Sequence, residues 1–315
     1  MVEAQTLRGP VHRGQREPVL LPADHGIVET IEGFGRIRTK IAHYGDDNAN
    51  FSVVDIDLQP GEQIPLHTSD MNERVAVCYA GEGRVVNGDI ERMIAQGDVM
   101  FWGRGAPVSI AQKGSVPLHL SIISLVPDTA DASTLFPINR SAWRIVDNVE
   151  GSASDSGSFL FDKEQDGEQY WQAAPSLGFI TLKFGEDLPV DYFSASSQTL
   201  DPDAAVRLHG HAVSTEIVVC TRGRGIAEAG GTQGNYAEGD LLILPPGITH
   251  RFINDSGEAW TYTGVFTPPS VESALRETGV RKLPDTERPT AIPRNPTTER
   301  LLVEKYGFII PGLQQ

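Results

Sequence analysis

The segments HGHAVSTEIVVCTRG, residues 209–223, and GDLLILPPGITHRFIN, residues 239–254, decide the fold of this chain. Each contains a short run of mostly aliphatic residues bounded by turn residues, which is the pattern of a strand between two turns. His209 and His211 are two residues apart, and side chains at that spacing lie on the same face of a strand. The two segments therefore predict strands with histidines gathered on one face.

Two further donors accompany this pair. Glu216 opens the next predicted strand, and His250 lies on a later one. If the shared face of these strands is the interior of a barrel, three imidazoles and one carboxylate converge there. Such a set can bind a divalent Fe, Mn, Co, Ni or Zn ion and leave one or two positions for water, oxygen or substrate. The alternative for each histidine is an ordinary hydrogen-bonded polar residue.

The chain contains an internal repeat. His67 in the first half corresponds to His209 in the second, and we call the separation of these two positions the repeat offset. The same offset, without a gap, matches turn and core residues along both halves: Phe51 with Phe193, Pro60 with Pro202, Cys78 with Cys220, Gly97 with Gly239, Asp98 with Asp240, and Gly105 with Gly247. A register kept over this length predicts a duplicated domain.

Both copies of the repeat have the pattern of β-structure. VVDIDL in the first copy alternates apolar and polar residues, as a half-buried strand does. The 32 glycines and 21 prolines are spread along the chain, which favours many turns and short strands. Several short strands bounded by turns indicate a sandwich or a barrel.

Length and charge limit the classes of function. With 315 residues the chain has room for two ordinary domains or one large one. A formal net charge of −16 repels phosphate backbones and anionic lipids, so we expect neither a nucleic acid nor a membrane as partner. No apolar run is long enough to span a bilayer, and the first ten residues lack the apolar core of a signal peptide. Because Cys78 and Cys220 are the only cysteines, we exclude a disulfide framework and expect a cytoplasmic protein.

The two quoted segments resemble the first and second motifs of the cupin family. The positions that match this pattern are His209, His211, Glu216, Gly223, Gly239, Pro245, Gly247, His250 and Asn254. The leading glycine of the first motif is the exception, because Asp203 stands there. The resemblance implies a metal held by His209, His211, Glu216 and His250. Together with the repeat it covers roughly residues 51–267 and makes the chain resemble a bicupin.

The fold expected from the resemblance is all-β, with two cupin barrels (double-stranded β-helix or jelly-roll) in tandem. We place the N-terminal barrel in residues 1–140 and the C-terminal barrel in residues 141–315. In the region between the repeats, SFLF and LGFITLKF are expected strands that open the second domain.

Two short helices are expected in the tail, residues 270–315. SVESALRETG has Ser270 as N-cap and Gly279 as its end, and NPTTERLLVEKYG has Asn295 as N-cap and Gly307 as its end. They are expected to pack on the second domain or on a partner subunit.

The first barrel does not keep the ligand set. At the repeat offset, His211, Glu216 and His250 become Ser69, Arg74 and Val108, and His67 alone matches a ligand. We therefore expect one metal ion per chain, bound by the second barrel.

Three interpretations of the first barrel remain open. It could be a scaffold that supports the second barrel or a dimer. It could form an organic-anion pocket from His67, Arg74, Tyr79 and Trp102. A slip of register could instead restore Glu73 as a ligand.

The activity implied most directly is that of a quercetinase-like dioxygenase. There the metal, Fe²⁺ in our first choice, would bind an enolic or phenolic oxygen of a small molecule and let O₂ attack, with Glu216 as proton acceptor. Apolar residues of the second repeat are the candidates for the substrate pocket: Phe193, Ile243, Phe252, Trp260, Tyr262 and Phe266.

Two other classes stay open. One is a redox-neutral cupin enzyme, an isomerase, cyclase, lyase or decarboxylase, in which the metal is a Lewis acid. Arg207 and Arg251 could then hold a carboxylate or sugar, although neighbours of inward residues normally face outward. The other is a non-catalytic, small-molecule-binding bicupin. In each case we expect a small-molecule ligand and a homodimer.

Overall fold

The computed structural model describes residues 11–14, 16–31, 35–47, 49–68, 72–125, 144–145, 158–173, 176–284, 286–289, 292 and 294–313. The chain divides into two compact units. The first unit comprises Met1–Gln15 and Asp24–Lys163, and the second comprises Arg16–Ala23 and Glu164–Gln315. The predicted boundary between residues 140 and 141 lies outside the described residues and stays a prediction.

The strands in the first half of the chain are β1 (Val11–Arg13), β2 (Val19–Leu21), β3 (Ile27–Ile31), β4 (Gly35–Gly45), β5 (Asn50–Leu58), β6 (Gln63–Thr68), β7 (Glu73–Ala80), β8 (Glu82–Asn87), β9 (Ile90–Ala95), β10 (Val99–Trp102), β11 (Val108–Gln112), β12 (Leu118–Leu125), β13 (Arg144–Ile145) and β14 (Phe159–Asp162).

The elements in the second half are β15 (Glu168–Trp171), β16 (Gly178–Lys183), a 3-10 turn (Gly185–Asp187), β17 (Ser194–Leu200), β18 (Gly210–His211), β19 (Thr215–Arg222), β20 (Arg224–Ala229), β21 (Thr232–Ala237), β22 (Leu241–Leu244), β23 (His250–Ile253), β24 (Trp260–Thr267), α1 (Val271–Thr278), β25 (Val280–Lys282), α2 (Pro296–Glu304) and β26 (Phe308–Ile309).

The described residues of the first unit form two sheets. One has the order β1-β4-β5-β12-β7-β10-β14, with β3 also paired to β4, and the other has the order β13-β6-β11-β8-β9. β14 pairs with β10, so the SFLF segment contributes to the first unit and our expectation that it opens the second domain is wrong. The β-pattern is correct there, but sequence alternation does not say which sheet a strand joins.

The second unit repeats this arrangement. Its described residues form a large sheet with the order β2-β22-β19-β24-β17-β16-β15-β25, a three-stranded sheet β21-β20-β23, and the pair β18-β26. β2 pairs with β22, as β14 pairs with β10 in the first unit. The all-β class and the double-barrel architecture predicted from the sequence are confirmed.

Strand alternation directs one face of each large sheet into a barrel core. In β5, Val54, Ile56 and Leu58 belong to the core cluster of the first unit. Asp55, between them, instead forms a buried ion pair with Lys40 at 3.0 Å. Pairing of the Lys40 and Asp55 charges offsets part of the cost of burying them.

The registers of the two units agree with the gapless repeat. Arg74 pairs with Trp102 across β7 and β10. At the repeat offset, Arg74 and Trp102 correspond to Glu216 and Leu244, and these two residues are also partners, across β19 and β22. Arg74 and Glu216 therefore occupy equivalent positions of equivalent sheets.

Turn positions explain the exception in the first motif. Gly61 in the first repeat has φ +88°, and Asp203, its partner in the second, has φ +60°. Aspartate is among the few non-glycine residues that adopt this left-handed conformation readily. The change from glycine to Asp203 therefore keeps the turn.

The helical tail matches the sequence pattern and packs on the second unit. α1 begins after Ser270 and ends before Gly279, and α1 contacts β17. α2 begins after Asn295, whose side chain accepts a hydrogen bond from the backbone N–H of Thr297, and it ends before the predicted stop. No helix in the described part of the chain is long and apolar enough to cross a membrane.

Candidate metal centre

Three histidines of the second unit form a cluster. The ligand atoms of His209, His211 and His250 lie within 4.8 Å of one another. His209 and His250 form a backbone bridge, in which the N–H of His209 donates to His250 at 3.0 Å and the reverse bond is 2.6 Å long. The backbone thus brings the histidines of the two motifs side by side, as the resemblance implied.

The Nδ1 atom of each imidazole faces an outer partner. Nδ1 of His209 lies 3.0 Å from the carbonyl oxygen of Arg207, and Nδ1 of His250 lies 3.2 Å from that of Ile248. Because a carbonyl only accepts, Nδ1 is the donor in both pairs and Nε2 keeps its lone pair. This is the tautomer required of a histidine that binds a metal through Nε2.

Ser270 holds the third imidazole. Its Oγ lies 2.8 Å from Nδ1 of His211, and the side chain makes no capping bond to α1. The sequence identified Ser270 as a helix N-cap and missed this contact. Ser270 and His211 are far apart in the sequence, and nothing local to either residue indicated that their side chains would meet.

Glu216 faces the histidine cluster. Its Oε2 lies 3.1 Å from Nε2 of His250 and 3.6 Å from Nε2 of His211. Glu216 is not part of the set of ligand atoms that all lie within 4.8 Å of one another, which consists of the three histidines. Glu216 Oε2 and His250 Nε2 are both buried without a hydrogen-bond partner. Buried polar atoms are rarely left unpaired, and a cation between these donors would satisfy both, so the residues fit a divalent metal.

Burial keeps two imidazoles of the cluster in the neutral form that binds a cation. Desolvation lowers the pKa of His209 well below its usual value, and the neighbouring histidines lower it further. Burial lowers the pKa of His211 to about 4, although Glu216 opposes the shift. Both imidazoles are therefore neutral at pH 7, as metal ligation requires.

Aromatic rings enclose the ligands. β26 pairs with β18 and brings the ring of Phe308 to 6.2 Å from that of His209 and 5.0 Å from that of His211, measured between centroids. The ring of Phe266 lies 5.3 Å from His211. These contacts fix the imidazoles and give the centre apolar surroundings.

Gly264 leaves room for Glu216. A Cβ at Gly264 would lie 3.1 Å from Oε1 of Glu216 and 3.2 Å from the Phe266 ring. Both contacts are tighter than ordinary van der Waals packing, so a larger residue would displace the carboxylate or the ring.

A cavity of about 460 Å³ opens onto the centre. This volume lies within the usual range for small-molecule sites. Of the predicted wall residues, Phe252, Tyr262 and Phe266 line it. His209, His211 and Glu216 line it as well.

The other three predicted wall residues lie elsewhere, because of strand alternation and depth. Leu242 and Leu244 belong to the core cluster, so Ile243 faces the opposite side of β22. Phe193 precedes β17 and packs against Tyr192. Trp260 is deeper in the barrel, where its Nε1 donates to Cys220 Sγ at 3.2 Å.

Several cavity residues lie outside the two motifs and were missed. They come from β15 and β16, from α1 and α2, and from the end of the chain, and include Trp171, Ile180, Leu275, Leu302 and Phe308. Their apolar character is ordinary for strands and amphipathic helices, so no local signal marked them as cavity residues.

The cavity also carries charge. Arg207, Arg294 and Glu299 line it together with Glu216. Glu299 Oε2 accepts from Arg207, and its Oε1 lies 3.5 Å from Arg294. Arg251, the other arginine considered from the sequence, instead pairs with Glu228 at 2.7 Å and does not line this cavity.

The equivalent place in the first unit has different residues. Arg74 is buried, and burial lowers its pKa to about 10. His67 is also buried, and its Nδ1 lies 3.0 Å from the carbonyl oxygen of Pro65. Val108 pairs with His67. Ser69, the counterpart of His211, lies outside the described residues.

The alternative interpretations of the first barrel do not agree with its register. Ala76 and Cys78 belong to the core cluster, as Trp102 does, so Arg74 shares the inward face of β7. Glu73 and Tyr79 lie on the opposite face, and Tyr79 donates to Asp55 at 3.4 Å. A pocket that includes both Arg74 and Tyr79 is therefore wrong, and Glu73 does not replace Arg74.

Solved structures with this architecture were found at low sequence identity. Oxalate decarboxylase from Lactobacillus farciminis, solved as a formate complex, is 18% identical with a TM-score of 0.56, covering 81% of this chain and 87% of that one. Procruciferin, an 11S globulin from Brassica napus, is 14% identical with a TM-score of 0.58. The match covers 85% of this chain and 86% of procruciferin. Oxalate decarboxylase from Bacillus subtilis, described with Mn(II) centres, is 16% identical with a TM-score of 0.53. The match covers 84% of this chain and 79% of the decarboxylase.

The chain has the fold of a bicupin. At these identities the likeness shows the fold alone. The profile of the AraC-like ligand binding domain matches residues 197–307, which lie in the second barrel. No curated protein matches the chain.

Proposed function

We propose that the second barrel of this bicupin is a metal-dependent enzyme domain. It holds one divalent transition metal through Nε2 of His209, His211 and His250 and the carboxylate of Glu216. The observation that carries the proposal is the histidine cluster with Glu216 beside it, where two buried atoms lack hydrogen-bond partners. Buried polar atoms are usually paired, and a cation bound between these two would pair both.

For the metal we propose Fe²⁺, with Mn, Ni, Co and Zn as the other ions that suit imidazole and carboxylate ligands. The similarity to the oxalate decarboxylase with Mn(II) centres supports testing Mn first among the alternatives.

The reaction we propose is a dioxygenation of a small enolic or phenolic molecule. When bound, the metal would supply a redox-active Lewis acid for the substrate oxygen and O₂. Glu216 accepts the proton of the substrate hydroxyl, and it is the carboxylate beside the histidine cluster. Phe252, Phe266 and Phe308 line the cavity and exclude water from the reacting atoms.

A redox-neutral reaction is the second candidate. The observation that favours it is the presence of Arg207 and Arg294 in the cavity wall, which suits a carboxylate substrate activated by a Lewis acid. Similarity to oxalate decarboxylases agrees with this candidate.

We also propose a small-molecule substrate, a homodimer, and no nucleic-acid or membrane partner. A binding protein without turnover is the outcome that would refute both enzyme candidates. The similarity to an 11S globulin and to the AraC-like ligand binding domain makes that outcome worth testing.

The test is metal content and oxygen consumption on one preparation. We expect about one metal per chain, because within the described residues the histidine cluster lies in the second barrel. The variant His209→Ala, His211→Ala should lose it, whereas His67→Ala, which removes the equivalent histidine of the first unit, should keep it. Unchanged metal content in the double variant refutes the site.

An oxygen electrode then distinguishes the two reactions. Flavonols, catechols and enediols are the compounds to screen, with product analysis under argon in parallel. Oxygen uptake that needs the metal supports the dioxygenase, and turnover under argon supports the redox-neutral enzyme.

A further inference from the structure

The wall of the metal cavity carries a pair of arginines that the proposed dioxygenation does not require. Arg207 lies two residues before the ligand His209, and Arg294 lies much further along the chain, just before α2. Both line the cavity with the metal ligands. Residues so far apart meet there because α2 packs in the second unit.

One carboxylate lies between the two guanidinium groups. Glu299 uses Oε2 for Arg207 and Oε1 for Arg294, so it meets each arginine through a single oxygen. Arginine binds a carboxylate most strongly through two parallel N–H bonds. A guanidinium carries five N–H donors, so a contact with one carboxylate oxygen uses only part of that set.

The charge of the cavity also favours an anion. Its charged lining residues are Arg207, Arg294, Glu216 and Glu299, so a bound divalent metal makes the sum positive. Burial lowers the pKa of Arg294, and the nearby charge of Arg207 lowers it further. Glu299 opposes this shift, so it already offsets part of the repulsion between the two cations, and a further anion bound beside the arginines would offset more of it.

The rest of the wall is apolar and aromatic. Trp171, Leu275, Leu302 and Phe308 are among the residues that line it. A substrate that fits therefore has an apolar body and one acidic end.

We propose that the substrate of the second barrel is an organic monocarboxylate, whose carboxylate is held by Arg207 and Arg294 while its oxygen function at the other end faces the histidines. The contact between the substrate's oxygen function and the histidine cluster rests on the proposed function. The contact between its carboxylate and the two arginines does not depend on the metal.

The test uses 4-hydroxybenzoate and 4-hydroxybenzamide, which have similar shape and differ in charge. Isothermal titration of the full-length, metal-loaded protein should show the anion binding at least about tenfold tighter than the amide, the size of a charged hydrogen bond. In Arg294→Gln and in Arg207→Gln this preference should fall below about threefold. Arg251→Gln removes an arginine that pairs with Glu228 outside the cavity and should keep it.

Three results would overturn the inference: equal affinity for the two probes, no binding of either, or a preference that survives both arginine variants. The last would mean that the carboxylate binds the metal. The wild-type comparison does not depend on how a variant folds.

Metal analysis of the same samples separates this inference from the proposed function. A loaded protein without anion preference refutes the inference alone. A protein that takes up no metal but still prefers the anion, through Arg207 and Arg294, refutes the proposed function alone.

Discussion

The two barrels of this chain have the same strand register and opposite chemistry at the same place. Glu216 and His250 stand beside each other in the second barrel, and Arg74 and Val108 occupy the equivalent positions in the first. Arg74 and Glu216 lie on strands whose cross-strand partners also match at the repeat offset. The barrel framework therefore accepts either a cluster of metal donors or a buried cation, and a few side chains decide which.

The difference has a large electrostatic consequence. A cation placed about 4 Å from a divalent metal would raise its free energy by roughly 8 kcal/mol at an effective dielectric constant near 20. Arg74 is 1% exposed, so solvent does little to screen its charge. The first barrel therefore opposes metal binding as well as lacking the matching ligand set.

The largest expected effect comes from converting the second barrel to the pattern of the first. Glu216→Arg with His250→Val removes two donors and adds a cation, so metal content should fall from about one per chain to below about a tenth. Circular dichroism should stay that of a folded β-protein, because the first barrel holds Arg74 and Val108 in the same register.

The reverse change in the first barrel is the control. Arg74→Glu removes the cation but supplies only a carboxylate beside His67, so metal content should not rise. An increase to about two per chain would contradict our account, because it would make the buried charge the only difference between the barrels.

A smaller effect is expected when only the charge of the carboxylate is removed. Glu216→Gln keeps the shape of the side chain and the three histidines, which are enough protein ligands for a metal. We expect most of the metal to remain while kcat falls by about 10²–10⁴-fold, the range for loss of a general base. Normal turnover by this variant would show that the proton acceptor is another group.

Ser270 provides a finer test of what supports the ligand cluster. Ser270→Ala removes the 2.8 Å contact to Nδ1 of His211 without touching a ligand. Metal affinity should weaken by about 10–100-fold, as it does when an outer partner of a metal-bound histidine is lost. Ser256→Ala is the control, because Ser256 bonds to Asn254 and Glu258 and contacts no ligand. Equal metal affinities for the two variants would remove Ser270 from the site.

The local patterns of this chain predicted the barrels well. The duplicated glycines and aspartates mark turns whose backbone demands are the same in both units, as at Gly105 and Gly247 with φ of +74° and +84°. The HxH spacing predicted two imidazoles on one face, and the three histidines do meet. These features depend on short-range geometry, which sequence records directly.

The surroundings of the site could not be predicted in the same way. Phe308 reaches His211 because β26 pairs with β18, and two-residue strands carry no pattern that specifies a partner. The ion pairs of Arg207 and Arg294 with Glu299 depend on where α2 packs. Sequence periodicity predicted which candidate wall residues lie on strands. It did not predict that Phe266 lines the cavity while Trp260 is packed in the core cluster.

The smallest expected effect concerns His67, the one ligand position that the first barrel keeps. Burial, helped by the charge of Arg74 and opposed by the hydrogen bond to Pro65, lowers the pKa of His67 from 6.5 to about 3. In the unfolded chain His67 takes up a proton near pH 6.5, whereas in the folded barrel it stays neutral, so the unfolded state binds more protons below that pH. The free energy of unfolding should therefore fall as the pH is lowered from 7 to 5, by about 2 kcal/mol from this histidine alone.

His67→Gln should lack that part of the decrease when the free energy of unfolding is measured by urea unfolding at constant ionic strength. His25→Gln, a change at an exposed residue of the same unit, should follow the wild type. If His67→Gln also follows the wild type, His67 is not held neutral by its surroundings, and the difference between the barrels depends less on burial than we argue.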